Sequence, residues 1–157
     1  MSRGNRAPNR GTTMRQTELL TKAIDPKSLT AGQLMEDAPL TCGPRTDGLA
    51  IARLMTERRI GSLPVVDEER TLVGLVTEHD LLQAMSEGRD LRKVAAADIM
   101  TPSVLTVTEE RSLGELATLF QDRYLTRVPV VRGGKLVGVV ARRDLLFGYV
   151  RALRYWT

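Results

Sequence analysis

The side chains best suited to chemistry stand in an eleven-residue phrase that occurs twice in this chain. Residues 72–82 read LVGLVTEHDLL and residues 136–146 read LVGVVARRDLL. In each, an apolar run ends where a helix is expected to begin, and an aspartate follows: Thr77-Glu78-His79-Asp80 in one, Ala141-Arg142-Arg143-Asp144 in the other. An ionised carboxylate is acceptor-only, with about four lone-pair sites, and free N–H groups at a helix start suit an anion. The same residues also serve as plain caps. Thr77 is a good N-cap, and Asp80 three residues on sits favourably in a first helical turn. Both readings stay open at this level. The two phrases are not equal, because Ala141 has no hydroxyl to donate and two arginines stand where the first has Glu78 and His79.

No catalytic constellation forms from the other reactive side chains. The chain has one histidine, His79, and one cysteine, Cys42. They are too few for a four-ligand zinc site, and a Cys–His nucleophile pair would lack a third partner. Neither a Walker-type phosphate loop nor a dinucleotide Gly-x-Gly-x-x-Gly occurs. No catalytic residue and no metal ligand is assigned, and an enzyme is not expected.

The elements that must position the phrase are themselves duplicated. Met35 falls on Met100 at an offset of 65 residues, and with it Leu40-Thr41 on Leu105-Thr106, Ala52 on Ala117, Leu54 on Leu119, Arg58 on Arg123 and Pro64-Val65-Val66 on Pro129-Val130-Val131. One residue is dropped in the next turn. At an offset of 64, Leu72-Val73-Gly74 meets Leu136-Val137-Gly138 and Asp80-Leu81-Leu82 meets Asp144-Leu145-Leu146. Agreement of this length marks a tandem duplication.

Each copy predicts the same order: a short helical turn, a brief extended segment, a helix, two β-rich runs around a turn, and a closing helix beginning at Asp80 or Asp144. The first long helix carries Leu49, Ala52, Leu54 and Met55, and its counterpart Leu113, Leu116, Ala117, Leu119 and Phe120, at amphipathic spacing. Ser112 with Glu115 makes a capping-box start, and Gly133-Gly134 suits a primed hairpin turn. LVGLV and LVGVV read as strands covered on both faces. The fold class is therefore α+β, a tandem repeat of two β-α-β-β-α motifs packed sheet to sheet as a pseudo-two-fold pair. Residues 1–28 are a basic tail and lead-in, 29–90 the first motif, and 91–157 the second with an extended C-terminal helix.

Two tandem units of this kind, each with an apolar-Pro-Val-Val run and then Leu-Val-Gly-x-Val before a helix-start Asp, resemble a CBS domain pair, or Bateman module. The resemblance covers residues 29 to 150 or so. It implies regulation rather than catalysis, with adenosine compounds (AMP, ADP, ATP or S-adenosylmethionine) bound in two clefts between the paired sheets and no cofactor required. By this resemblance Asp80 accepts from the ribose hydroxyls, Thr77 donates to a phosphate, and Gly74 lets the sugar approach its strand. Asp144 keeps the ribose role in the second copy, where Arg142 or Arg143 replaces the missing hydroxyl. Arg127, just before the second Pro-Val-Val, is the further phosphate candidate, and Ser62 holds that position in the first copy. Thr41 and Cys42, and likewise Thr106 and Val107, are the adenine contacts the family suggests. The alternative for Arg127 is an exposed strand-edge arginine.

Composition is ordinary for a soluble globular protein. The net charge of +4 sits in the tail: Arg3, Arg6, Arg10 and Arg15 account for four of 23 basic residues, and the remaining 19 balance the 19 acidic ones. A basic tail of this kind reads as a solvated end, so nucleic-acid binding is not expected. The N-terminus lacks the apolar core of a secretory signal, no run approaches a membrane span, and a single cysteine fits a reducing cytoplasm. The apolar stripe Leu145, Leu146, Tyr149, Val150 and Leu153 reads mostly as core packing, and its reach past the repeat to Tyr155 and Trp156 also suits a homodimer interface. The leading expectation is a sensor of adenosine nucleotide that passes ligand state to a protein partner. Beside it stand a structural or interaction module with empty clefts, and weak nucleic-acid association through the tail.

Overall fold

The computed structural model describes residues 25–154; the arginine tail, Tyr155 and Trp156 lie outside the described residues. In the first copy a one-turn helix, α1 (Ala31–Leu34), precedes helix α2 (Gly48–Arg58), strands β1 (Ser62–Val66) and β2 (Leu72–Thr77), and helix α3 (Glu78–Ser86). The second copy repeats the order as α4 (Ala96–Ile99), α5 (Leu113–Arg123), β3 (Arg127–Arg132), β4 (Lys135–Ala141) and α6 (Arg142–Arg154). The fold expected from the repeat is the one observed.

Local chemistry explains the boundaries. Asp47 caps α2 by accepting from Ala50 N–H at 2.9 Å. Ser112 caps α5, accepting from Glu115 N–H at 3.2 Å while its hydroxyl donates to the Glu115 carboxylate at 3.1 Å. Gly133 and Gly134 take φ of 57° and 78°, the two positive values a primed hairpin turn requires. The closing helices begin at Glu78 and Arg142, two residues before the expected aspartates, because Thr77 and Ala141 are the residues that cap them. The faces of the long helices also turn slightly from the expected stripe. Ile51 and Met55 take the deepest places on α2, with Ala52 and Leu54 half-buried, and Ala117 of α5 faces outward.

Strands β1 and β2 pair antiparallel, as do β3 and β4, and each pair has a register shift, at Val65/Val66 and at Val130/Val131. The first extended segment of each copy contributes one parallel bridge, Cys42 to Val65 and Val107 to Val130. What joins the copies is an exchange of their lead-in segments. Thr101, which follows α4 of the second copy, pairs with Leu75 in β2 of the first through hydrogen bonds of 2.8 and 3.0 Å. Glu36, which follows α1 of the first copy, pairs with Val139 in β4 of the second at 2.9 and 3.1 Å. Thr71 and Lys135, equivalent positions in the repeat, bridge each other where the hairpins meet.

The cores follow the exchange. One buried cluster holds Cys42, Ile51, Leu63, Val65, Val76 and Leu81 together with Ala96 of the second copy. The other holds Val107, Leu116, Val128, Val130, Val140 and Leu145 together with Ala31 of the first. Neither hydrophobic core is completed by its own copy.

The exchange also accounts for the glycines of the repeated phrase. A Cβ on Gly74 would strike the Met100 side chain and lie 3.0 Å from the Thr101 carbonyl oxygen. A Cβ on Gly138 would strike Met35 and lie 2.8 Å from the Glu36 carbonyl oxygen. These glycines admit the crossing segment, a packing role for Gly74 beside the sugar contact that the resemblance implies.

Two measurements test this packing. Gly138→Ala forces the Glu36 backbone outward, and overpacking of this kind costs about 1–3 kcal/mol; its midpoint in a urea titration drops accordingly, whereas an unchanged midpoint means that the exchange tolerates the methyl group. The second concerns Cys42, whose burial pushes the thiol pKa up from 9.0 to about 11. The folded state therefore holds this proton more tightly than the unfolded state, so the thiol contributes stability that is intact below about pH 9 and lost as pH rises toward 11. Stability of the wild type then falls more steeply across that window than stability of Cys42→Ala, and equal slopes would contradict the assignment.

Candidate functional site

The two helix starts of the repeated phrase have the same backbone geometry and different chemistry. At α3, Asp80 Oδ2 accepts from Thr77 N–H at 2.8 Å and from the Thr77 hydroxyl at 2.9 Å, and Thr77 Oγ1 accepts from Asp80 N–H at 3.3 Å. The carboxylate and the hydroxyl satisfy each other in a capping box. At α6, Asp144 Oδ2 accepts from Ala141 N–H at 2.7 Å. With no hydroxyl at Ala141, the reciprocal half of the box is missing. Oδ1 of Asp144, like Oδ1 of Asp80, accepts no hydrogen bond from the described residues.

Asp144 borders a cleft of about 820 Å³ lying between the copies. Arg127, Ala141, Arg142 and Arg143 line it from the second copy, and Arg59, Ile60, Gly61 and Glu78 from the first, with Glu36 of the crossing segment at its side. This volume falls within the range of roughly 300–1,000 Å³ typical of small-molecule sites. Folding thus gathers Arg127, Arg142, Arg143 and Asp144, which are spread over two elements in the sequence.

Arg127 is not an exposed strand-edge residue. Its side chain is 13% exposed, and its Nη2 stands 3.9 Å from the Glu36 carboxylate. Its Nη1 donates to the Ser62 carbonyl oxygen at 3.0 Å. Burial draws the guanidinium pKa down, the Glu36 and Asp144 carboxylates oppose that, and Arg143 adds to it. Ser62 and Arg127 occupy equivalent positions in the repeat, so Arg127 reaches over to the backbone of its own counterpart. A second arginine at Ser62 would set two buried guanidinium groups against each other, and like charges close together in a partly desolvated setting repel strongly. The Ser/Arg asymmetry has this physical cause.

The other candidates lie elsewhere. Asp80 borders a separate hollow of about 150 Å³ with Gln83, Glu87, Arg89 and Asp98. Thr77 is half-buried and engaged in its cap. Cys42 and Val107 are buried in the two cores, Thr41 and Thr106 are half-buried beside them, and none of the four borders the cleft at Asp144. Among the described residues no group of three or more His, Cys, Asp or Glu side chains could hold a metal ion. His79 is exposed at the start of α3, and the Cys42 thiol, with its raised pKa, is far from the thiolate form that nucleophiles and metal ligands need.

Glu36, Arg59 and Glu78 are the charged cleft residues that reading the sequence did not find. Arg59 ends α2 in the left-handed region, at φ 53°, and nothing in its local sequence points across to the second copy. Glu36 reaches the cleft only because the lead-in segment changes copies. Glu78 had a signal, since it is the repeat equivalent of Arg142.

Two stretches of the chain, residues 31–87 and 96–151, match the CBS domain family. An uncharacterized protein of Methanopyrus kandleri, MK0525, is 34% identical over 122 residues, which cover 76% of this chain and 62% of that protein. The chain therefore spans somewhat under two thirds of that relative's length. Among solved structures, CBSX2 of Arabidopsis thaliana in complex with AMP is 31% identical with a TM-score of 0.70, over 78% of this chain and 96% of that one. The CBS domain pair of protein MJ0100 in complex with 5-methylthioadenosine and S-adenosyl-L-methionine is 28% identical with a TM-score of 0.66, over 76% and 95%.

Proposed function

The chain belongs to the CBS domain family, and we propose that it is a regulatory module that takes an adenosine ligand into the cleft beside Asp144. One observation carries this reading: Arg127, Arg142, Arg143 and a carboxylate oxygen without a donor among the described residues converge on one cleft of about 820 Å³. Similar folds hold AMP, 5-methylthioadenosine and S-adenosylmethionine, which supports the ligand class.

Each residue has a role that its chemistry allows. Asp144 Oδ1 accepts from a ribose hydroxyl while Oδ2 keeps the cap on Ala141. The phosphate meets the start of α6, where N–H groups and the guanidinium groups of Arg142 and Arg143 offer charge-assisted hydrogen bonds. Arg127 stands between that phosphate, Glu36 and the Ser62 carbonyl oxygen. A ligand that draws Arg127 away from Glu36 loosens the crossing segment from its place, and this is how binding reaches the rest of the molecule. The ligand signals only if it favours one arrangement over another.

The Thr77–Asp80 motif, which the family resemblance ranks first, is in this reading the secondary site, because the Thr77 hydroxyl is already engaged in the cap and the hollow that Asp80 borders is only about 150 Å³. A second reading has its own support. Both aspartates are engaged as caps, as they would be in a structural module with empty clefts.

The module acts as a homodimer in the reducing cytoplasm, transmitting ligand state to a protein target. Leu82 and Met85 on α3, and Leu146, Phe147, Val150 and Leu153 on α6, are apolar and between 41% and 69% exposed. Exposed apolar surface gathered on the two equivalent helices suits a second copy of the chain. No helix among the described residues is long and apolar enough to cross a membrane.

Calorimetric titration with AMP, ADP, ATP and S-adenosylmethionine separates the readings. Asp144→Asn keeps an acceptor for Ala141 N–H but lowers the acceptor capacity and removes the charge. It is expected to weaken binding about tenfold or more, or about 1.4 kcal/mol, with the thermal midpoint little changed. Any second binding event is expected to vanish in Asp80→Asn. Absence of heat with all four ligands, or binding indifferent to Asp144→Asn, would favour the empty-cleft module. For the assembly, light scattering on the eluting protein gives twice the chain mass for the wild type and the single mass for a Leu82→Glu, Val150→Glu double variant; a monomeric wild type removes the dimer from the proposal.

A further inference from the structure

Asp144 also borders a second hollow, of about 460 Å³, between helix α6 and the lead-in segment of the first copy. Leu29, Leu34 and Met35 form one wall, and Phe147, Gly148 and Ala152 of α6 the other. It shares only Glu36 and Asp144 with the cleft between the copies, and none of Arg127, Arg142 and Arg143 borders it.

The repeat shows that the fold does not by itself require this hollow. Its equivalent in the first copy is the hollow of about 150 Å³ beside Asp80. There Gln83 stands for Phe147, Ala84 for Gly148, Glu87 for Arg151, Asp98 for Gln33 and Ile99 for Leu34. Gln83 Nε2 donates to the Glu87 carboxylate at 3.2 Å, and α3 ends at Ser86, so the chain turns away at Gly88. In the second copy α6 runs on to Arg154. Phe147 and Arg151 replace the polar pair, with the guanidinium 6.0 Å from the ring centroid. Gly148 lets α1 sit close, since a Cβ there would strike the Leu34 side chain. Glycine weakens a helix interior, so the close approach is gained at some cost.

The polar groups of the larger hollow are committed, with one exception. Gln33 Oε1 accepts from Thr30 N–H at 3.0 Å, Glu36 stands 3.9 Å from Arg127, and Asp144 caps α6. Arg151 has no carboxylate partner among the described residues. Phe147 is 66% exposed, so the hollow opens to solvent.

We infer that this hollow is a second ligand site, for a small amphipathic carboxylic acid whose apolar body lies against Phe147, Leu34 and Ala152 and whose carboxylate meets Arg151. Burial of the body supplies affinity, and the guanidinium offers a charge-assisted, bidentate contact. Arg151 is seven residues beyond Asp144, about 10 Å along the helix, so the ligand carboxylate stands well away from that of Asp144. An ammonium group would turn the other way, toward Glu36 and Asp144, and an alcohol has no charge to offer. The inference does not rest on the adenosine reading.

The experiment is calorimetric titration of the full chain at neutral pH, without nucleotide, using octanoate, naphthoate, octanol and octylamine below their micelle-forming concentrations. At least one acid is expected to bind about fivefold more tightly than octanol, the upper range for an exposed ion pair, with a preference that shrinks in salt. Octylamine binds no more tightly than octanol. Arg151→Gln brings the acid to the level of octanol while octanol itself changes less than about twofold, and Arg151→Lys keeps part of the difference. Ala152→Leu, which fills the hollow and leaves its charges alone, weakens acid and alcohol together. Thermal midpoints near that of the wild type exclude unfolding as the cause. If octanol or octylamine binds as tightly as both acids, if Arg151→Gln leaves the preference intact, or if Ala152→Leu changes nothing, the assignment is wrong. Absence of binding to the wild type also overturns it, and binding that emerges only in the Leu82→Glu, Val150→Glu double variant would show that a second copy covers the hollow instead.

Discussion

The exchange of lead-in segments is the constraint on which the rest of the molecule depends. Leu75 with Thr101, and Val139 with Glu36, each trade two backbone hydrogen bonds between the copies. The approach is close enough that a Cβ at position 74 or 138 would force the facing segment or its methionine to shift. Because Ala96 completes the core of the first copy and Ala31 the core of the second, neither half can bury its apolar surface without the other. A unit of this size alone would be marginal, since small domains bury too little of their surface to offset chain entropy. Two halves that supply each other's missing piece fold as one.

The same exchange creates the cleft. It carries Glu36 from the first copy to the side of β4, and it sets the end of α2 opposite the start of α6. A strictly symmetric pair would put identical groups face to face at the pseudo-two-fold axis. At the position of Ser62 and Arg127 that would mean two buried cations or two short side chains leaving a void. One long side chain reaching across to the backbone of its counterpart resolves the problem. At this position the asymmetry is accommodated by packing, with Arg127 held against the Ser62 carbonyl oxygen.

Capping and binding use the same atoms here. Asp144 and Asp80 each give one carboxylate oxygen to the cap and leave the other unused by the described residues; at Asp80 the Thr77 hydroxyl adds a second donor to the occupied oxygen. The motif that looks more complete in sequence is thus the one more fully satisfied by itself. The motif that looks degenerate keeps the same free carboxylate oxygen and gains charge from its two arginines. Completeness of a motif and availability of its groups are separate properties, and only the hydrogen-bond partners distinguish them.

The duplication, the order of elements and the caps at Thr77 and Ser112 were determined by the sequence alone, because they depend on periodicity and on contacts within a few residues. The paired glycines of the hairpin turn were legible for the same reason: a turn with two positive φ angles admits few other residues. Tertiary structure alone decided which copy each lead-in segment serves, and with it the close packing at Gly74 and Gly138. It also decided that Cys42 and Val107 belong to the cores, that Arg127 is buried against Ser62, and that Arg59 and Glu36 reach the cleft. Each of these depends on backbone pairing between residues 36 and 139 or 75 and 101. Local propensity carries no information about pairing at that distance; it is settled by the burial of apolar surface when the two copies close on each other.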